Sequence, residues 1–261
     1  MALTIAGPSD GEEDAARSAG LYLYGFVRAN APLSVGEEGV GGAPVTMIEG
    51  DGVAAMVSPA EDSGIRLKRQ DLHRHLRVIE SAFKATTILP CPFGTIVDSE
   101  SELREGVLVG ARDDLLAGLT RLDGTVQINV KATYDEEELL RRIVAADPQI
   151  AALRERTRAA GDAGYYDRLQ LGEIVAGRIG EQAELDGHRL AGLLAVNAVD
   201  LAVERPEAGC ALKASFLVTR KLLGRFDATL EALARDEQPL LQFEAIGPLP
   251  PTAFAAAYAS T

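Results

Sequence analysis

The sequence predicts an α+β protein built from two small units with antiparallel or mixed sheets, joined by a helix-rich segment. Three observations carry this. A glycine-turned hairpin pattern occupies residues 45–57, and one later strand pattern is apolar on a single face, both features of antiparallel sheets. The run of strands and helices in the first half is then repeated, in shorter form, after residue 199. Of the 261 residues, 47% are hydrophobic and 25% charged, which is ordinary for a globular chain and excludes global disorder.

Residues 1–19 are rich in small and acidic side chains without apolar periodicity, and are read as a disordered tail. Leu21 to Val27 is apolar at odd and even positions alike, as in a central strand covered on both faces. Residues 30–44 carry loop chemistry, with Gly, Pro and the Glu37-Glu38 pair. The hairpin follows. In residues 68–86, Leu72, Leu76, Ile79 and Phe83 mark one stripe of a helix that packs on the sheet.

A short strand at 87–89 leads into Pro90-Cys-Pro-Phe-Gly-Thr95, a rigid bend in which two prolines remove donors and Gly94 permits a tight turn. Leu103, Val107, Ala111, Leu115, Leu119 and Leu122 predict a second helix, capped by Ser99 or Ser101. Residues 125–134 alternate cleanly, with Val126, Ile128, Val130, Ala132 and Tyr134 inward. These elements define a ferredoxin-like N-terminal unit over residues 20–135, with its helices on one side of the sheet.

The C-terminal unit spans residues 136–261. The acidic run from Asp135 to Glu138 starts a helix, and Pro148 opens the next. Residues 165–196 form helix with a break expected near Asp186-Gly187, since five glycines weaken it. Strands at 199–203, 210–219 and 240–246 enclose a helix over 221–235.

The balance of 26 basic against 39 acidic residues gives a charge of −13, which offers no footprint for nucleic acid or an anionic membrane. Cys91 and Cys210 are too far apart for a CxxC site and fit a reducing cytoplasm as buried thiols. A signal peptide and a run of about 20 apolar residues are both missing, so the expected location is cytoplasmic.

Catalytic and cofactor motifs fail one by one. Gly106 and Gly110 lie inside a helix pattern and lack the Lys-Ser/Thr of a phosphate loop. His73 and His75 point to different sides of one helix, so they read as solvated rather than as metal ligands, and His188 stands alone. The acidic runs lack the ligand spacing of a calcium loop. No catalytic, cofactor-binding or metal-ligating residue is therefore assigned.

Three segments in order resemble the gas vesicle protein F/L family: Leu21-Tyr-Leu-Tyr-Gly-Phe-Val27, Ile88-Leu-Pro-Cys-Pro-Phe-Gly-Thr-Ile-Val97, and Ile246-Gly-Pro-Leu-Pro-Pro251 with Phe254. The chain carries Pro92 where that family often has arginine, and Leu249 and Thr252 at its closing aromatic positions. The resemblance gives structural weight to Pro90, Phe93, Gly94 and Thr95, and to Gly247, Pro248, Pro250 and Pro251. It implies a non-enzymatic accessory protein of gas vesicle assembly, located with the vesicles. Such a protein binds the aggregation-prone major shell protein and other accessory proteins, and prevents premature aggregation as the shell nucleates or grows.

For the contact surface the sequence offers Gln127, Asn129, Lys131 and Thr133, the outer face of the strand at 125–134. A mainly uncharged face is cheap to desolvate. The competing expectation is an enzyme or small-molecule sensor on a ferredoxin-like scaffold, because that fold hosts unrelated functions.

Overall fold

Tyr22 to Val27 are six consecutive buried residues of strand β1 (Leu21–Arg28), so neither face of this strand meets water. A computed structural model describes residues 20–32, 37–60, 68–160 and 165–255. The expected tail at 1–19 and residues 33–36 of the expected loop lie outside the described residues.

β1 sits at the centre of an antiparallel sheet with β2 (Thr46–Glu49), β3 (Val53–Pro59), β4 (Ile88–Pro90) and the two-residue β5 (Ile96–Val97). The order is β2-β3-β1-β4, with β5 also paired to β1. Helix α1 (Arg69–Ala85) packs Val78 and Ile79 against Tyr22, Tyr24, Val27 and Met56 on one face. The other face buries Leu23, Phe26 and Val57 against Leu115 and Leu119 of α3 (Arg112–Leu122). The helices thus flank this sheet on both sides, not on one as expected, because β1 is apolar on both faces from Leu21 to Val27 and needs two covers.

The second predicted helix is not regular. It opens with one turn, α2 (Glu100–Glu102), capped by Ser99, whose Oγ accepts from the Glu102 amide at 3.1 Å. A π-helical stretch over Leu103–Val109 follows, in which the Gly110 amide donates to Glu105 at 3.1 Å. The wider turn buries Leu108, while Val107 is only partly covered.

The second sheet has the order β7-β8-β6-β9, formed by β6 (Thr125–Tyr134), β7 (Asp200–Val203), β8 (Cys210–Thr219) and β9 (Leu241–Leu249). All its pairings are antiparallel. β6, assigned from sequence to the sheet of residues 20–135, belongs here instead, paired to β8 and β9. The β-α-β-β-α-β chain order of a ferredoxin-like unit likewise appears in this second sheet and not in the first, whose elements run β-β-β-α-β-β.

Four helices cover one face of this sheet. α4 (Glu136–Ala146) is capped by Asp135, which accepts from the Glu138 amide at 2.9 Å, and α5 (Pro148–Ala160) starts with proline at its first position. α6 (Tyr165–Ala195) is one unbroken helix of 31 residues, and α7 (Leu223–Asp236) completes the layer. The break expected at Asp186-Gly187 is absent because Gly187 serves packing: a Cβ there would lie 2.6 Å from the Ala211 carbonyl oxygen of β8.

The two sheets share a core. Leu217 of β8 and Phe254 near the C-terminal end join the Leu23–Phe26–Leu115 cluster of the first unit. The Arg220 guanidinium lies 5.0 Å from the ring centre of Phe83, and Arg121 pairs with Asp200 across the junction.

Candidate functional site

Two places collect the residues singled out in the sequence. The first lies where α1 crosses β1. Tyr22 sits between His75 and the bend after β4: its hydroxyl is 3.1 Å from His75 Nδ1 and accepts from the Gly94 amide at 3.0 Å. Either group can donate in the Tyr22–His75 bond, according to the tautomer of the ring. Phe93 meets the His75 ring edge-on at a centroid distance of 5.5 Å. Tyr24 donates or accepts with Ser58 at 2.9 Å and accepts from the Val40 amide at 2.7 Å.

The bend itself is closed by Thr95, whose amide and hydroxyl both donate to the Pro92 carbonyl, at 3.3 and 2.8 Å. Pro90 ends β4 opposite Gly25. Gly94 has φ +93°, the left-handed region that favours glycine.

Asp71 anchors the start of α1, accepting from the Lys68 amide at 3.1 Å and from the Gly41 amide at 3.2 Å. The Lys68 bond above all holds its carboxyl below the usual range. The buried stripe of α1 is therefore Asp71, His75, Val78, Ile79 and Ala82, rotated from the predicted stripe, and Leu72 and Leu76 are exposed. His75, expected to be solvated, is 2% exposed. Burial lowers its pKa to about 4, against the opposing effect of the Cys91 backbone bond. Cys91, also buried, has its thiol pushed up to about 12 by desolvation. Every polar side-chain atom buried among the described residues is satisfied, and no group of three metal-ligating side chains occurs among them.

The second place is the face of the second sheet away from its helices. Gln127, Asn129, Lys131 and Thr133 do share that face, but not as one exposed strip. Gln127 is buried: its Nε2 donates to Asn129 Oδ1 at 2.7 Å and its Oε1 accepts from the Ala253 amide at 2.9 Å. Ser215 Oγ donates to the same Asn129 oxygen at 2.9 Å. Gln127 thus bonds the C-terminal segment and offers nothing to a partner. Lys131, Thr133 and Asn129 are half-buried, and the register places Glu244, Gln242 and Ile246 of β9 opposite them on the same face. Ile246 is 63% exposed, and the outer edge of β9 pairs with no other described strand. Gly247 and Pro248 are exposed on this edge, whereas Pro250 and Pro251 are buried as the chain turns toward Phe254.

The model of a known family, gas vesicle synthesis protein GvpL/GvpF, matches residues 20–256, nearly all of the chain. The chain belongs to the GvpL/GvpF family of gas vesicle synthesis proteins. Gas vesicle protein F of Streptomyces sp. (strain CB03234) is 35% identical over 237 residues, covering 89% of this chain and 98% of that protein. Gas vesicle protein F of Microcystis aeruginosa (strain PCC 7806) is 25% identical over 138 residues, 52% of this chain and 57% of its own. The crystal structure of GvpF from Anabaena sp. PCC7120 superposes with a TM-score of 0.78 at 21% identity, over 91% of this chain and 98% of that one. That of GvpF from Microcystis aeruginosa gives 0.72 at 20%, over 91% and 99%.

The three segments that resemble the GvpL/GvpF family make their contacts in two places. The first and second meet at Tyr22, Phe93 and Gly94, and the third docks on β6 through Gln127 and Ala253. Both are frameworks for the sheets. Sequence reasoning missed Asp71 and read His75 as solvated, and the available signal was a charged and an ionisable residue four apart on the face next to the leucine stripe. No helix among the described residues is long and apolar enough to cross a membrane.

Proposed function

We propose that this member of the family acts in gas vesicle assembly by holding the major shell protein, together with other accessory proteins, and by keeping the shell protein from aggregating before it joins the shell. The role is one of binding, exercised in the cytoplasm where vesicles grow, and uses no cofactor. The observation that carries the reading is the end of the second sheet where half-buried Lys131 and Thr133 adjoin exposed Ile246, on a strand whose outer edge pairs with no other described strand. An open edge can add a strand of an apolar partner through backbone hydrogen bonds, and the adjoining face supplies side-chain contact.

Thr133→Glu combined with Ile246→Glu places two carboxylates on this surface and leaves Gln127, Asn129 and Ser215 themselves unaltered, although Ile246 lies opposite Asn129. Co-purified shell protein is expected to fall about tenfold, which corresponds to ~1.4 kcal/mol, with the melting temperature unchanged within a few degrees. Undiminished capture by a folded double variant would remove this surface from the reading.

A further inference from the structure

On the opposite, helix-bearing side of the second sheet, α6 and the β7–β8 connection bound an open groove of about 790 Å³. One wall is α6 from Ile179 to Ala191, a length of about 18 Å at the helical rise. Its floor is made of small side chains at a spacing of four, Ala183, Gly187 and Ala191, and the facing loop adds Ala208 and Gly209. Gly187 is taken up by packing on β8, but at Gly180 of α6 and Gly209 of the loop an added Cβ would meet nothing within 4 Å, so the groove is open between those two points. At the β7 end, Val203 lines the groove and is 60% exposed. The remaining lining is mainly apolar, with charged side chains at its rim.

The two walls differ in charge. Glu184 on the α6 wall makes no side-chain ion pair among the described residues, and neither does Arg205 on the loop wall. The other carboxylates of the rim, Glu204 and Glu207, are held by Lys213. The groove therefore presents one open anion and one open cation across an apolar floor.

We propose that this groove binds an amphipathic helix of a partner protein, about three turns long, with bulky apolar side chains on one face flanked by a basic row toward α6 and an acidic row toward the loop. A helix laid along a groove in this way uses its i, i+3, i+4 and i+7 side chains as anchors. The site is separate from the surface proposed for the shell protein, so the two readings can fail independently.

The probe is a labelled 14-residue peptide with a leucine stripe, lysines on one flank and glutamates on the other. Its binding is followed by fluorescence anisotropy and its helicity by circular dichroism. Two variants carry only lysine or only glutamate on both flanks, and a scrambled peptide is the control. The mixed peptide is expected to gain helicity and to bind about fivefold more tightly than either variant at low salt, the margin shrinking as salt rises. Glu184→Lys makes both walls cationic and should transfer the preference to the all-glutamate peptide. Val203→Glu, at an exposed position, should abolish binding without lowering the melting temperature. Thr133→Glu with Ile246→Glu should bind the peptide as the native protein does. The proposal is overturned if the mixed peptide binds no better than the scrambled one, if Glu184→Lys leaves the preference unchanged, or if Val203→Glu binds normally. Uptake of laurate at the groove without peptide binding would make it a small-ligand site and equally overturn it.

Discussion

His75 shows how one contact sets a residue's behaviour. Its neighbours are Tyr22, Tyr24 and Phe93, and burial among them favours the neutral ring. In the unfolded chain an imidazole titrates near 6.5, while in the fold burial lowers it to about 4. Between these values the unfolded chain binds the extra proton, so stability is full above about 6.5 and is lost as the pH falls toward 4. Equilibrium unfolding from pH 7 to 4 should show this loss. His75→Gln, which keeps a hydrogen-bonding side chain, should flatten the slope by up to one proton, and an unaltered slope would place the titrating group elsewhere. Gly94, on the other side of Tyr22, has φ +93° and gives its amide to the tyrosine. Gly94→Val should cost about 1–3 kcal/mol in strain and lower the melting temperature. Here the sequence was partly legible: Pro-x-Pro-Phe-Gly announced a rigid turn, but nothing local distinguished a buried His75 from a solvated His73 two residues earlier.

At the scale of elements, the hydrophobic period located the strands and helices well and failed where packing bends a rule. The stripe from Leu103 to Leu122 assumed an even turn, but the π-helical stretch shifts burial from Val107 to Leu108. The glycines of α6 suggested a break, and one of them is instead what lets the helix lie against β8. The same helix is tied down by Asp186, which accepts from the Tyr134 hydroxyl at 2.8 Å, Gln182 at 2.9 Å and Arg189 at 3.0 Å. Burial alone would raise the Asp186 carboxyl, but these three bonds outweigh it and hold it below its usual range. Arg189 also bonds Glu237 just beyond α7, so the network joins β6, α6 and the end of α7. Tyr134→Phe removes one donor to a buried carboxylate and should cost about 1.5–3 kcal/mol, read as a shifted denaturant midpoint with an unchanged m-value. A loss below 0.5 kcal/mol would mean that Gln182 and Arg189 suffice.

Over the whole molecule, the half-polar alternation of β6 was plain in the sequence, yet the sheet it joins was not, because strand pairing is a long-range choice with no local mark. Gln127 fell to the same cause: its cover comes from Ala253, 126 positions later. That C-terminal segment is also what couples the units. After β9 the chain turns through Pro250 and Pro251 and inserts Phe254, 8% exposed, into the core that Leu23, Phe26 and Leu115 form on the first sheet, beside Leu217 of the second. Each sheet also has a cluster under its own helices, and Phe83 of α1 packs against both, so the core around Phe254 is the more deeply buried of two apolar links between them. The intact protein should accordingly unfold in one calorimetric transition, with equal calorimetric and van't Hoff enthalpies. Phe254→Ala leaves a cavity in that link at a cost of about 3–5 kcal/mol, more than the junction pairs Arg121–Asp200 and Arg220–Phe83 restore from the surface. The variant should lower the melting temperature and resolve two transitions, the π-helical and α3 layer losing protection from amide exchange together with the outer face of β6. A single, unshifted transition would show that the units are held together without Phe254.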